Sequence, residues 1–259
     1  MSTHTTTDAP LFEARDVHKS FGAVDVLRGM SVGVEPGHIT AIVGDNGAGK
    51  STFIKCLTGI YSPDAGSLAF RGKAVTVSSP DHARKLGIET VYQDLGLVDD
   101  LPVWHNLHLN RELTWGRGPF SVLRRKAMSR DAARMLEELD VRIPSPDIEI
   151  RALSGGQRQA VAISRAVSWG PSLVIMDEPT AALGVRETAA VEELIGRLRS
   201  RGTSVLLISH DMPQVLRLCD TVTVLRHGRT VSSRPVGQLS PDRLVALITG
   251  ASTDKEMFA

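Results

Sequence analysis

One stretch of this chain leaves few folds open. An apolar run, Ile39-Thr-Ala-Ile-Val43, leads straight into Gly44-Asp45-Asn46-Gly47-Ala48-Gly49-Lys50-Ser51-Thr52. A continuous β-branched run reads as a strand buried on both faces, and Lys50 to Thr58 reads as a helix. Strand, glycine-rich loop and helix in that order form a phosphate cradle. The glycines let backbone N–H groups curl around phosphate oxygens, and the helix adds the positive end of its dipole. Lys50 is placed to reach the β- and γ-phosphates, and the Ser51 hydroxyl to hold Mg²⁺.

Three further runs share the pattern of the first: Leu173-Val-Ile-Met176, Val205-Leu-Leu-Ile208 and Val222-Thr-Val-Leu225. Helical patterns separate them. Arg186 to Arg199 puts Val191, Leu194, Ile195 and Leu198 on one face, and Met212 to Leu218 follows the third run. The alternation predicts an α/β fold with a parallel sheet and right-handed crossovers. Leu11 to Val17, Val32 to Val34 and Leu68 to Phe70 are short and turn-bounded, and predict an antiparallel sheet leaning on that core. Residues 95–168 read as a mostly helical insert, with Ala132, Met135, Leu136 and Leu139 on one face of Ser129 to Leu139. Ser240-Pro to Gly250 carries the start and stop signals of a short final helix. The expected organisation is a polar tail at 1–10 followed by one domain at 11–259.

Chemistry collects at two further places. Asp177 and Glu178 close an apolar strand, where ligands sit in open α/β sheets. Asp177 is expected to hold Mg²⁺ and Glu178 to polarise an attacking water. Leu153-Ser154-Gly155-Gly156-Gln157 opens a helix running to Ser168, with Ala160, Ile163 and Val167 on its apolar face. Ser154 is its expected N-cap, and a first turn with two glycines and a hydroxyl can also meet phosphate. One phosphate loop binds one nucleotide. A second phosphate-facing segment predicts a nucleotide held between two copies of the chain.

Composition narrows the partners. A formal net charge of +1 over 259 residues gives no general attraction to nucleic acid or anionic membrane. The two cysteines, Cys56 and Cys219, lack metal-type spacing and read as core thiols in a reducing compartment. No apolar run approaches the ~20 residues needed to span a bilayer. The polar start, Met1 to Asp8, predicts no secretory leader. The cluster Arg124-Arg125-Lys126 reads as a solvated face.

Together these motifs resemble the ATP-binding cassette (ABC) ATPase family over essentially the whole chain. Gly44 to Thr52 is similar to its Walker A loop, Leu153 to Gln157 to its signature, and Leu173 to Asp177 to its Walker B strand, with Glu178 at the catalytic-base position. The resemblance implies a P-loop NTPase (RecA-like) parallel-sheet core with an N-terminal antiparallel β subdomain and an α-helical insert. It also implies three more site residues. Gln93, after the strand Ile88 to Tyr92, touches Mg²⁺ and senses the membrane partner. His210 contacts the γ-phosphate. Phe21 stacks on adenine, although an aromatic of the N-terminal core would look the same in the sequence. ATP and Mg²⁺ are the implied cofactors. A homodimer closes Ser154 to Gln157 of one copy over ATP on Lys50 of the other. A membrane permease docks near Leu97 to Leu107, where Trp104 reads equally as an interface anchor or as core, and a periplasmic binding protein acts indirectly.

One position departs from the family. Ala181-Ala182-Leu183-Gly184 stands where Ser-Ala-Leu-Asp is usual, which puts communication between the two ATP sites in question. This segment, Gly44-Asp45-Asn46 and Val91 to Val98 resemble bacterial simple-sugar importers of the ribose, xylose and fructose kind, here in the single-cassette fructose-import type. Residence on the cytoplasmic side of the membrane follows from that resemblance. The alternatives are a soluble cassette acting on another macromolecule, such as in iron–sulfur assembly, and a subunit that binds ATP without hydrolysing it. The intact Glu178 and His210 argue against the second.

Overall fold

The four apolar runs lie side by side in one sheet, and each sends alternate residues to opposite layers. The computed structural model describes residues 9–116 and 121–258; the expected tail falls almost wholly outside them. The first half of the chain comprises β1 (Phe12–Phe21), β2 (Val24–Val34), β3 (Ile39–Val43), α1 (Lys50–Leu57), β4 (Ala65–Phe70), β5 (Lys73–Val75), α2 (Pro80–Leu86) and β6 (Ile88–Val91). Next come α3 (Val103–Leu107), β7 (Thr114–Trp115), β8 (Val122–Leu123), α4 (Arg125–Glu138) and α5 (Gly155–Val167). The rest is β9 (Leu173–Asp177), α6 (Val185–Ser200), β10 (Ser204–Ile208), α7 (Met212–Leu218), β11 (Thr221–Arg226), β12 (Arg229–Pro235), α8 (Pro241–Thr249) and α9 (Asp254–Phe258).

The central sheet has the order β12-β11-β3-β10-β9-β6 and is parallel except for β12 at its edge. Ile42, Ile175, Leu206 and Ile208 face a layer built from α1 and the second sheet, of order β2-β1-β4-β5. Ala41, Val43, Val174, Met176, Val205 and Leu207 face a layer of helices that includes α5, α6 and α8. Burial on both faces explains why these strands read as unbroken apolar runs.

A third core holds the helical region together. Val103, Trp104, Leu107, Met128, Ala132, Leu136, Ile150 and Leu153 pack there, and Trp104 is buried. Trp104 is thus core and not a surface anchor.

The antiparallel sheet is longer than its apolar residues announce. β1 continues through His18, Lys19 and Ser20 because β2 supplies backbone partners where the sequence is polar. A register shift at Arg15 and Asp16, with Asp16 at φ 49°, breaks its alternation. The apolar face of α5 is also rotated from the expectation. Val161, Ala162, Ile163 and Ala166 are its buried apolar residues, while Ala160 and Val167 are half-buried.

Both thiols are free and buried. Burial pushes Cys56 to about 11 and Cys219 to about 12, so neither is a nucleophile at neutral pH.

Phe53 of α1 is fully buried between the two sheets, whereas Val24 is 62% exposed. Phe53→Ala should cost about 3–5 kcal/mol in urea unfolding. Val24→Ala should cost under about 0.5 kcal/mol.

Candidate functional site

Four parallel strands end next to one another, and the chain leaves each end carrying a polar group. In sheet order the groups are the glycine loop and Lys50 after β3, Ser209 and His210 after β10, Asp177 and Glu178 closing β9, and Gln93 beyond β6. The pairings Ile208 with Ile42, Ile208 with Asp177, and Val91 with Met176 put these ends at one level. Hydrogen-bond register therefore assembles the site from residues far apart in the chain.

The loop after β3 is pressed against its support. A Cβ on Gly44 would lie 2.4 Å from the Leu225 carbonyl oxygen of β11, at a φ of 154°. The Ala48 carbonyl accepts from the Gly228 N–H in the turn between β11 and β12 at 3.1 Å. That turn in turn accepts from the Arg28 N–H of β2 through the Gly228 carbonyl at 2.8 Å. Gly228 and Leu225 thus brace the loop from below. The only sequence signal for them is the His227-Gly228 turn dipeptide of the hairpin, whose two residues have φ 49° and 76°.

Asp45, Asn46 and Gly47 are exposed at the crown of the loop, and Ser51 and Thr52 open α1. The Lys50 ammonium donates to the Gly44 carbonyl at 2.5 Å and the Asp45 carbonyl at 3.0 Å, which holds it across the loop. Burial pulls its pKa down, opposed by the carboxylates of Glu178, Asp45 and Asp177. Burial likewise raises Asp177 above its ordinary value, and the Glu178 charge adds to this, against Lys50 and Lys55. Two acids and one lysine thus share a partly desolvated space.

Glu178 is held in a sparsely populated conformation. Its φ is 51°, and its N–H donates to the Ile208 carbonyl at 3.0 Å. The side chain meets the His210 ring, with Nδ1 2.7 Å from Oε2. A carboxylate at Nδ1 fixes the ring's proton on that nitrogen. This pair is what a base and its orienting partner require.

The pair rests on a buried amide that the sequence analysis did not single out. Gln214 of α7 is fully buried. Its Oε1 accepts from Ser209 Oγ at 2.9 Å, and its Nε2 donates to Thr180 Oγ1 at 2.9 Å and to Glu192 Oε1 at 3.3 Å. Ser209 precedes His210 and Thr180 follows Glu178 by two, so one side chain ties both loops to α6. In the sequence, a lone Gln in the first turn of a helix carries no such signal.

Ser154 N-caps α5 in a capping box. Its hydroxyl accepts from the Gln157 N–H at 3.3 Å, and Gln157 Oε1 accepts from the Ser154 N–H at 3.0 Å. A Cβ on Gly156 would lie 2.7 Å from Cβ and Cγ of Glu187, so α6 leaves room only for glycine. Gly184 is crowded by the same residue, its Cβ position lying 2.6 Å from Glu187 Oε2. A carboxylate therefore does stand beside Gly184, supplied by the first turn of α6. The neighbours of this segment include Leu183, Glu187 of α6 and Arg142, and those of the phosphate loop belong to β2, β11 and the β11–β12 turn. The structure does not bring the two segments together within one chain.

Phe21 is 42% exposed at the end of β1 and meets Tyr61 edge-on at 5.1 Å. Its ring is open to a stacking partner and is not core. Gln93 is exposed two residues beyond Val91, which pairs with Met176 of β9, and the segment after it is pinned from α5. Arg165 donates to the Leu95 and Gly96 carbonyls at 2.7 Å each.

The donors fit Mg²⁺. A hydroxyl (Ser51), one carboxylate (Asp177) and an amide oxygen (Gln93) are hard oxygen ligands, few enough to leave room for water and phosphate oxygens. No group of three or more His, Cys, Asp or Glu among the described residues forms a cage of its own.

Comparison with known proteins agrees with this geometry. The profile of the ABC transporter family matches residues 27–181. The chain is 43% identical over 245 residues to the xylose/arabinose import ATP-binding protein XylG of Sulfolobus acidocaldarius, covering 95% of this chain and 96% of that one. It is 42% identical over 249 residues to the fructose import ATP-binding protein FrcA of Rhizobium meliloti, covering 93% and 95%. Among solved structures, an ATP-binding cassette of an ABC transporter in its ADP conformation superposes with a TM-score of 0.79 at 25% identity, covering 96% of this chain and 98% of that one.

Gln214→Leu should lower kcat for ATP hydrolysis about tenfold or more while the KM for ATP stays within about twofold, because it loosens the pair without touching the phosphate loop. Asp177→Asn should abolish hydrolysis yet raise the Tm near neutral pH. The Asp177 pKa is raised on folding, so its ionised form costs stability once pH exceeds that value. Below the unfolded carboxylate value the acid is neutral in both states. A Tm series from about pH 3 to about pH 8 should show the advantage vanish at the acid end, below the ordinary Asp value of about 3.9.

Proposed function

The chain belongs to the ABC transporter family, and on that premise we propose that it is the ATP-hydrolysing subunit of a simple-sugar importer. The observation that carries the catalytic part is the Glu178–His210 pair set among the ends of β3, β10, β9 and β6. The substrate class rests on the xylose/arabinose and fructose import relatives, each matched over more than nine-tenths of its length. A soluble cassette acting on another macromolecule finds no support in either.

ATP binds with its phosphates in the loop from Gly44 to Thr52 and its adenine against Phe21. Lys50 leaves the Gly44 and Asp45 carbonyls for the β- and γ-phosphate oxygens, a stronger partner for an ammonium ion. Ser51, Asp177 and Gln93 would hold Mg²⁺, which supplies charge neutralisation on the β- and γ-phosphates. Glu178 accepts the proton of the attacking water, and His210 holds its carboxylate in place and lies beside the γ-phosphate. Gln214 keeps both loops in register through this step.

Ser154 to Gln157 completes the site from a second copy. Their hydroxyl, N–H groups and helix end are the complement a γ-phosphate lacks in one chain. ATP binding favours the closed dimer, and loss of the γ-phosphate removes that preference.

The permease docks in a groove of about 310 Å³ between α2, β6 and the C-terminal half of α5. Its lining includes Gly96, Leu109, Arg111 and Trp169. Trp169 is 40% exposed under the Arg111 guanidinium at 4.6 Å, so it takes the anchor place that the sequence suggested for Trp104. Arg165 lines the groove and grips Leu95 and Gly96 on the segment after Gln93, a direct line from permease to site. No helix among the described residues is long and apolar enough to cross a membrane; docking on the permease places the chain at the cytoplasmic face.

Glu178→Gln should lower kcat about 100-fold or more while ATP still binds. Size-exclusion chromatography of that variant should show an ATP-dependent dimer, and adding Ser154→Arg should abolish it. Wild-type turnover in Glu178→Gln would refute the role of this carboxylate.

A further inference from the structure

Between α3 and α4 the helical region carries two short paired strands whose surface the ATPase cycle does not use. β7 pairs antiparallel with β8, Trp115 opposite Val122, and the Arg124 N–H closes the base on the Leu113 carbonyl at 2.8 Å. Trp115 and Val122 are each 66% exposed, and Leu113 is 37% exposed. The Arg124 guanidinium lies over the Trp115 ring at 4.5 Å. α4 begins at once with Arg125 and Lys126, and Arg130 follows one turn later, all three exposed. Among the described residues, the hollow between the strand pair and the helix is lined by Arg124, Arg125, Lys126 and Arg130 and by no acidic residue; Asp147 lies in the hollow beyond.

A chain of net charge +1 thus gathers four cations around an exposed tryptophan and valine. Sequence alone offered only a solvated basic run, because Trp115 and Val122 reach it through strand pairing. An amphipathic ring flanked by arginine and lysine suits the headgroup depth of a bilayer, where indole meets the interface and cations meet anionic lipid. The position fits as well. Leu109, Asn110 and Arg111 line the permease groove, and β7 starts three residues further on.

We propose that the face formed by Trp115, Val122, Arg124 and the exposed cations at the head of α4 rests on anionic lipid headgroups beside the permease, as a second, permease-independent contact with the membrane. The proposal rests on the transport reading for its location but not for its test.

The purified full-length chain, without permease, is floated with vesicles of phosphatidylcholine alone and of phosphatidylcholine with one-third phosphatidylglycerol, at low and high salt. Expected is recovery with the anionic vesicles only, lost at high salt. Arg124→Glu with Lys126→Glu should lower partitioning about 25-fold or more, from about fivefold per basic residue before charge reversal. Trp115→Ser should weaken it separately. ATP hydrolysis by these variants should stay at the wild-type rate, which shows that they are folded. Absence of binding to anionic vesicles at low salt, equal binding to neutral ones, or full binding by the double variant would overturn the proposal. Capture by single-stranded RNA in place of vesicles would reassign the surface to nucleic acid. None of these failures touches the ATPase reading, which fails on Glu178→Gln alone.

Discussion

The register of one parallel sheet governs everything else in this molecule. Side chains of β3, β10 and β9 alternate between two fully packed layers, and a slip of one residue would turn each strand inside out. That burial fixes which carbonyl faces which N–H, and hence the level at which each strand stops. Glu178 shows the consequence directly. Its backbone continues the ladder to Ile208 and then turns at a positive φ, which aims its carboxylate at the His210 ring. The strain at Glu178 is tolerable because the strands on either side cannot shift.

Close approach is the second theme. Gly44 lies against the Leu225 carbonyl and Gly156 against Glu187. In each case a glycine backbone is backed by another element with no space for a side chain. The phosphate loop is therefore braced by the β11–β12 hairpin, and the Ser154 turn by α6. The Glu187 carboxylate also lies beside Gly184.

Polar burial links these pieces. Gln214 spends its amide on Thr180, Ser209 and Glu192, with no other element to satisfy it. A satisfied buried amide of this kind is rigid, since breaking any one bond leaves a desolvated group unpaired. Arg165 plays the comparable part at the edge of the site, where its two 2.7 Å bonds tie the segment after Gln93 to α5. Arg165 thus anchors the segment after Gln93 on the helix that Ser154 caps, and Gln214 anchors the loops of Glu178 and His210 on α6.

Much of this was legible in the residues. The strand–loop–helix at 39–58, the acids closing β9 and the capping turn at Ser154 are local patterns, because their chemistry needs particular residue types at short spacing. The α/β class followed from unbroken apolar runs, which only two-sided burial explains. What needed the fold is non-local. The charged half of β1 is strand because β2 pairs with it, and Trp104 is core while Trp169 is exposed because α3, α4 and α5 close on one and not the other. Gln214 and Gly228 take their meaning from neighbours tens of residues away, and Trp115 from a strand pairing that brings Val122 and Arg124 to it. The sequence by itself determined which groups could meet phosphate and carry out its hydrolysis, since that depends on bonded order. The tertiary structure alone decided which groups meet one another, since contact depends on packing and register that no single segment contains.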